Sequence, residues 1–512
     1  MQICSTCTIL VISLIILLVL VSFGPSMRGN VEKINNSNIL DFNDLEESFQ
    51  KTRMENHPIL DRNDIQELFA SDGATGDLFG HSVSIDGNYA IIGAYEDDDN
   101  GDYSGSAYTF KRDGTVWTEQ SKLLPSDSKE GHTFGCSVSI DGDYAIIGAV
   151  GDNDNGDYSG SAYIFKRDGT VWTEQSKLLP SDGEVADCFG RSVSIDCDYA
   201  VIGAPGDNDF GYESGSAYIF KRDGTVWTEQ SKLLPSDGEA HEVFGKFVSI
   251  DGQYALIGAC GDDDNGDYSG SAYIFKRDGY IWTQQVKLLP SDGEAYRYFG
   301  FSVSIDGDYA LIGAVEDDDN GKKAGSVYVY KCDGLTWSRY VKLLAPDGME
   351  KDCFGWSVAI NGDNAIIGAV GADGNEPESG SAYVYKNISE FQSPNIPSIT
   401  GPTHGKLLFK HTFFISAIDP DNNDVYYYID WGDNTSNFWL GPYDSGEEIQ
   451  VSHRWLKQGN FEVKIKARNT IGVSDWGILT IEIPRTRASS YLWFEWFLEH
   501  YPILGRLFNL LI

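Results

Sequence analysis

The dipeptide Phe-Gly returns at residues 79, 134, 189, 244, 299 and 354, in steps of 55 residues. A strict period of that length marks an array of like units, each unable to bury its apolar face without a neighbour. One unit, residues 188–239, reads CFGRSVSIDCDYAVIGAPGDNDFGYESGSAYIFKRDGTVWTEQSKLLPSDGE. It holds four strand-like segments. Residues 192–195 alternate polar and apolar, residues 199–204 and 216–220 are short apolar runs, and a fourth segment opens at Thr225 and runs to Leu234. Asp-Gly pairs join the first two segments in most units (Asp141-Gly142, Asp251-Gly252) and the last two (Asp168-Gly169, Asp223-Gly224). Such pairs tolerate the positive φ of tight hairpins. Four antiparallel strands repeated radially make a propeller blade, so the spacing predicts an all-β chain with a six-bladed β-propeller.

The ends of the array carry a second expectation. The sixth unit stops after its third strand, at Lys386, while residues 66–73, QELFASDG, align one period before the LLPSD of residues 123–127. An orphan fourth strand at the start and a missing one at the end predict that residues 66–70 pair with residues 381–386. That pairing would complete the sixth blade and remove two open sheet edges.

Phe-Gly, then Ile-Gly-Ala, then Gly-Ser-Ala-Tyr-Ile-Phe resembles the FG-GAP repeat of integrin α-chain propellers and many microbial surface proteins, over residues 66–386. The resemblance implies a propeller that works outside the cell, in adhesion or ligand binding. Two departures stand out. Integrin propellers have seven blades, and six units are present here. The family's calcium loop, D-x-D-x-D-G-x-x-D, lies between Phe-Gly and Gly-Ala, where this chain has only a tight turn such as Ile140-Asp141-Gly142-Asp143.

Another loop is acidic. Between strands two and three, the first five units carry Asp97, Asp99 and Asp102; Asp152, Asp154 and Asp157; Asp207 and Asp209; Asp262, Asp264 and Asp267; and Asp317 and Asp319. The sixth is weaker, with Asp373 and Glu376. Calcium takes six to eight oxygens from carboxylates, amides and backbone, often around a glycine turn, and alternating Asp and Asn before Gly supplies them. These residues are candidate calcium ligands, several ions per chain. The competing reading is a solvated, charged loop.

Most of the unit is nearly constant from copy to copy, but the residue after Phe-Gly is His81, Cys136, Arg191, Lys246, Phe301 or Trp356. A fixed scaffold with a varied rim is the pattern of a recognition surface, since loops on a rigid frame carry binding. His81, Arg191, Lys246, Phe301 and Trp356 are therefore the candidate binding rim, expected on the same side as the acidic loops. The recurring Trp117, Trp172, Trp227, Trp282 and Trp337 have constant neighbours and are assigned to packing between blades.

Beyond Lys386 the period is lost, and residues 394–402 are rich in Pro, Ser and Asn. Asp430-Trp431-Gly432-Asp433-Asn434-Thr435, with His453-Arg454-Trp455 and Gly459-Asn460-Phe461 downstream, resembles the WDFGDG signature and later pattern of PKD domains. The resemblance implies an immunoglobulin-like β-sandwich used as spacer or adhesion module. The chain thus divides into a signal peptide or N-terminal anchor (1–26), an N-terminal linker (27–63), the propeller (64–387), a linker (388–402), the PKD-like sandwich (403–485) and an aromatic, apolar tail (486–512).

The apolar run at residues 8–23 sends the rest of the chain outside, whether cleaved or kept as an anchor. It and the tail are the two points of expected membrane contact. A net charge of −39 repels phosphates, so nucleic acid is excluded as a partner. The cysteines from Cys136 onward occupy mostly different repeat positions and are expected as single thiols. Near-identical units give rings of like residues rather than the convergent, unlike set of a catalytic centre. The sequence carries no G-x-S-x-G and no H-E-x-x-H. Binding of a surface protein or polysaccharide is favoured over the alternative, a metal-dependent propeller hydrolase.

Overall fold

The computed structural model describes residues 66–374 and 379–484. The leader, the N-terminal linker up to residue 65, Glu376 and the tail from residue 485 onward lie outside the described residues. The repeats fold as six antiparallel sheets, the blades of a propeller. Blade one comprises Ser82–Asp86, Tyr89–Ala94, Ser106–Asp113 and Val116–Leu123, paired in chain order. Blades two to five repeat that order, and blade six has the three strands Phe354–Asn361, Asn364–Ala369 and Ser381–Lys386.

One joint, made five times, connects neighbouring blades and explains all three glycine motifs. Phe134 opens the first strand of blade two, is fully buried, and packs edge-on against Tyr163 and Phe165 of its own blade, 5.4 and 6.0 Å between centroids. Its backbone meanwhile belongs to the blade before, bridging to Gly105 and donating to the Ser104 carbonyl at 3.1 Å. The next residue, Gly135, places its carbonyl against Gly93 of the preceding Gly-Ala, where a Cβ would lie 2.0 Å from that oxygen. Phe-Gly, Gly-Ala and Gly-Ser are thus three parts of one close approach.

The first strands are tied to one another around the array. Ser84, Ser139, Ser194, Ser249 and Ser304 each accept the amide of an isoleucine in the next blade, at 3.1–3.2 Å. Two residues on, Asp86, Asp141, Asp196, Asp251 and Asp306 each accept a turn amide of the next blade. In blade six the equivalent residues are Ala359 and Asn361. The tryptophans pack between blades as expected: Trp227 is buried, lies edge-on to Tyr144, and donates to Gln175 of the neighbouring blade at 3.3 Å.

The expected closure is not made. Residues 66–70 form no strand, and Leu68 and Ala70 pack against blade one instead. Val83 and Ile85 on the leading face of blade one are 67% and 64% exposed, whereas their equivalents Val193 and Ile195 are 7% and 5% exposed. On blade six, Ile366 and Val384 are also exposed. The apolar side chains of that segment are thus used up on blade one, and blade six lacks the serine and aspartate that tie every other blade to its successor.

The second domain is a β-sandwich. A three-stranded sheet of Ser398–Thr400, His411–Ser416 and Ile449–His453 faces a four-stranded sheet ordered Ser436–Tyr443, Val425–Asp430, Gly459–Arg468, Gly477–Ile483. Its first strand falls inside the segment read as linker, because Ile399 packs on the sandwich core with Phe413, Trp431 and Trp455. The sandwich docks on blade five. Lys466 Nζ lies 2.8 Å from Asp292 and Asp319, the Trp439 indole donates to the Asp319 carbonyl at 2.7 Å, and Arg339 pairs with Asp475. The six described cysteines are unpaired.

The joint makes a sharp demand at Gly203, where a Cβ would lie 1.8 Å from the Gly245 carbonyl oxygen. Neither backbone can yield without separating blades three and four. Gly203→Ala is expected to lower stability by at least about 2 kcal/mol, read as a lower urea midpoint. An unchanged midpoint would show that the joint has slack.

Candidate functional site

The acidic loops and the loops that lead to the next Phe-Gly share one rim, as the sequence led us to expect. In blade two the Asp157 and Tyr158 carbonyls accept the amides of Ala186 and Cys188, and the pattern repeats in other blades. Within that rim the candidate calcium ligands divide by position.

In blade two, Asp152, Asp154 and the Asp127 that ends the preceding unit converge on one point, and the ammonium of Lys177 stands there, 2.7 Å from each. The Tyr163 hydroxyl lies 2.8 Å from Asp127 and 2.9 Å from Asp152. The arrangement recurs around Lys122 (Asp72, Asp97, Asp99), Lys232 (Asp182, Asp207, Asp209), Lys287 (Asp237, Asp262, Asp264) and Lys342 (Asp292, Asp317, Asp319). Burial opposes the charge of Asp152, but hydrogen bonds from Lys177 and the Asp154 amide hold its carboxyl below the ordinary value. Burial equally opposes the Lys177 ammonium, which the three carboxylates keep well above its usual range. Asp102, Asp157 and Asp267 stand outside these cages, exposed on the rim.

The point where a calcium ion would sit is therefore taken by an ammonium, and the loops as folded do not fit the ion. The mutual repulsion that suggested a cation is relieved from within. Blade six strengthens this reading: it has no fourth-strand lysine among the described residues, and Ala372 and Gly374 replace the inner and outer aspartates. Where the lysine is missing, two of the three carboxylates are missing with it, and the third, Asp347, keeps only the Tyr383 hydroxyl among the described residues. In blade five the cage takes a second ammonium, that of Lys466 from the sandwich. Asp419 of the sandwich likewise caps its own loop, accepting the amides of Asp421 and Asn423 and the Asn469 side chain.

Beside the cages lies a buried position held by His132, Asp187 and Glu242 in successive blades. Burial pushes the Asp187 carboxyl up to about 6 and that of Glu242 up to about 7.

The rim candidates separate into two groups. Lys246, Phe301 and Trp356 come together: Phe301 lies 4.8 Å from the Trp356 ring and 5.2 Å from that of Phe247, and Lys246 Nζ sits 5.2 Å from the Phe301 centroid. They line a pocket of about 380 Å³ with Tyr268, Tyr298, Glu213 and Glu316. His81 and Arg191 do not line it. His81 lies against Tyr95, 4.4 Å between rings, and burial followed by the Arg191 charge holds its imidazole below the ordinary value. Cys136 is buried beneath the rim. The sequence reading missed the cage lysines and Tyr268, while Tyr298 stands among the varied residues just before Phe-Gly. The lysines left a signal, one at a fixed place in each of the five complete fourth strands. Tyr268 left none that separated it from Tyr158 and Tyr103 at the same repeat position.

A family model described as the FG-GAP repeat matches the chain six times, over residues 63–110, 117–165, 172–220, 227–275, 282–330 and 337–385. Among solved structures, the PKD domain of an M14-like peptidase from Thermoplasmatales archaeon SCGC AB-540-F20 is 40% identical over 18% of this chain and 97% of its own, with a TM-score of 0.18. The PKD domain of the human VPS10 domain-containing receptor SorCS2 is 19% identical over 19% of this chain and 78% of its own, with a TM-score of 0.16. No curated protein sequence matches the chain.

Two measurements test the charged machinery. The melting temperature of the parent is expected to be the same in calcium and in chelator. Lys177→Met should vacate a three-carboxylate cluster, so that calcium stabilises the variant alone. Calcium stabilisation of the parent would return the loops to the metal reading. For Glu242, a folded pKa above the ordinary 4.5 means stability that is full below that value and lost as pH rises through about 7. Glu242→Gln should abolish a loss on the order of 2 kcal/mol between about pH 5 and 8. A pH–stability profile that the substitution leaves unaltered would contradict this assignment.

Proposed function

Because the chain belongs to the FG-GAP repeat family, we propose that it is an extracellular or cell-surface binding protein that recognises a surface protein or polysaccharide through the rim pocket of its propeller. The observation that carries this reading is the gathering of Lys246, Phe301 and Trp356, one varied residue from each of three successive units, around a single pocket. Each stands at the head of a first strand, next to the buried Phe-Gly joint, so the scaffold beneath it is rigid. An aromatic, concave surface of this volume with a few polar groups at its edge is a default ligand site. Trp356 remains 44% exposed, which leaves its ring face available to a partner.

The charge pattern supports recognition at this place. Most of the rim is acidic, and the cages absorb five lysines, whereas the pocket presents aromatic faces beside a lysine. The docked sandwich holds the fifth blade from outside, through the Lys466 and Arg339 contacts, and reads as a spacer. Among the described residues no helix is long and apolar enough to cross a membrane.

The test is binding of the whole protein to native surface material. Phe301→Ala with Trp356→Ala is expected to fold as the parent does and to lose binding at least about tenfold, since buried aromatic anchors dominate interface energies. His81→Ala, outside the pocket, should leave binding unaltered. A folded double variant that binds as the parent does would move recognition away from this pocket.

A further inference from the structure

We propose that the rim pocket takes an acidic sugar, a pyranose ring that carries a carboxylate. This rests on the pocket being the recognition site. The ring is assigned to the aromatic faces of Phe301 and Trp356, and the carboxylate to Lys246.

The recurring lysines of this fold fall into two sets: those of the third strands, Lys111, Lys166, Lys221, Lys276 and Lys331, rest over tyrosine rings away from the pocket, and those of the fourth strands are caged. Lys122, Lys177, Lys232, Lys287 and Lys342 each have three aspartates within 2.9 Å. Among the described residues Lys246 has no carboxylate partner, and its ammonium rests over the Phe301 ring. Of the two carboxylates that line the same pocket, Glu316 is paired with Lys323 at 2.9 Å. In a chain of net charge −39, Lys246 is set apart by its place: it is the one lysine that lines the pocket, where its unpaired ammonium can meet an anion.

The rest of the pocket decides what body the anion belongs to. Phe301 and Trp356 are tilted at 50°, and Tyr268 and Tyr298 at 41° with 5.7 Å between centroids. These ring faces suit a flat C–H surface, and the tyrosine hydroxyls suit a ring of ligand hydroxyls. An extended peptide fits less well, because the pocket offers no open strand edge. The amides of Lys246, Phe301 and Trp356 are bound to the carbonyls of Val243, Tyr298 and Cys353, and that of Gly261 to Glu242. A long polyanion would meet the acidic cages on the same rim and be repelled, so the ligand is a terminal or short acidic saccharide.

The experiment titrates the full-length protein with methyl glycosides of glucuronic, galacturonic and N-acetylneuraminic acid and with their neutral counterparts, following tryptophan fluorescence and calorimetric heat. At least one acid is expected to bind about tenfold more tightly than its neutral counterpart. Lys246→Met should erase that preference while leaving the neutral sugar unaffected. Trp356→Ala should weaken both forms at least about tenfold. Binding that is equal for acid and neutral forms, a preference that survives Lys246→Met, or no binding of any acid would each overturn the proposal. If acids fail while Phe301→Ala with Trp356→Ala still abolishes binding to native surface material, the pocket stands and the sugar assignment falls. If that double variant keeps native binding, the pocket itself falls.

Discussion

The structure depends on a backbone crossing. At each joint a Phe-Gly dipeptide belongs to two blades at once, its ring packed in the blade it opens and its amide bonded to the blade it leaves. Burial of one phenylalanine is worth about 2–3 kcal/mol, but its position is set by the glycines around it, which let two backbones approach where no side chain fits. Neighbouring sheets are fixed in distance and angle by that contact. The rim residue directly after the glycine inherits the precision, so a side chain on the surface is placed by the most buried feature of the repeat.

Charge is arranged as a second layer on this frame. A protein with so many excess carboxylates would repel itself along the rim if they stood alone. The fourth strand instead delivers one ammonium into each group of three, and the tyrosine of the third strand supports the same carboxylates. The sandwich uses this motif to dock: Lys466 enters the fifth cage, where the Asp292 side chain is buried and that of Asp319 half-buried. Domain attachment is therefore a variation on a contact the propeller already makes within itself.

Much of this was legible in the sequence. The period, the strand count, the packing role of Trp227 and its equivalents, and the gathering of variable residues on one rim all follow from local pattern and strict repetition. What escaped was tertiary. Nothing near Asp152 in the chain shows that Lys177 will fill its loop, since they meet only when the second loop and the fourth strand of one blade fold together. The closure of the ring was inferred from residues 66–70, but Leu68 and Ala70 pack on blade one instead, and local pattern does not say which of two neighbouring surfaces a short apolar segment will cover. The pocket was partly legible: Lys246, Phe301 and Trp356 differ visibly from one another and Tyr298 stands in the varied segment before Phe-Gly, whereas Tyr268 looks like an ordinary loop residue until the blades are assembled.

Ala359 and Asn361 of the sixth unit bear on how such a gene can change. Units one to five carry interchangeable ends, each able to follow any other, so loss or duplication of an internal unit by unequal recombination would leave every remaining joint built from the same parts. The sixth unit stands apart, lacking the serine and aspartate of that set while keeping Gly368-Ala369 and Gly380-Ser381. Blade number would then follow copy number in the coding sequence, with the interior units the ones most alike in the parts that join them.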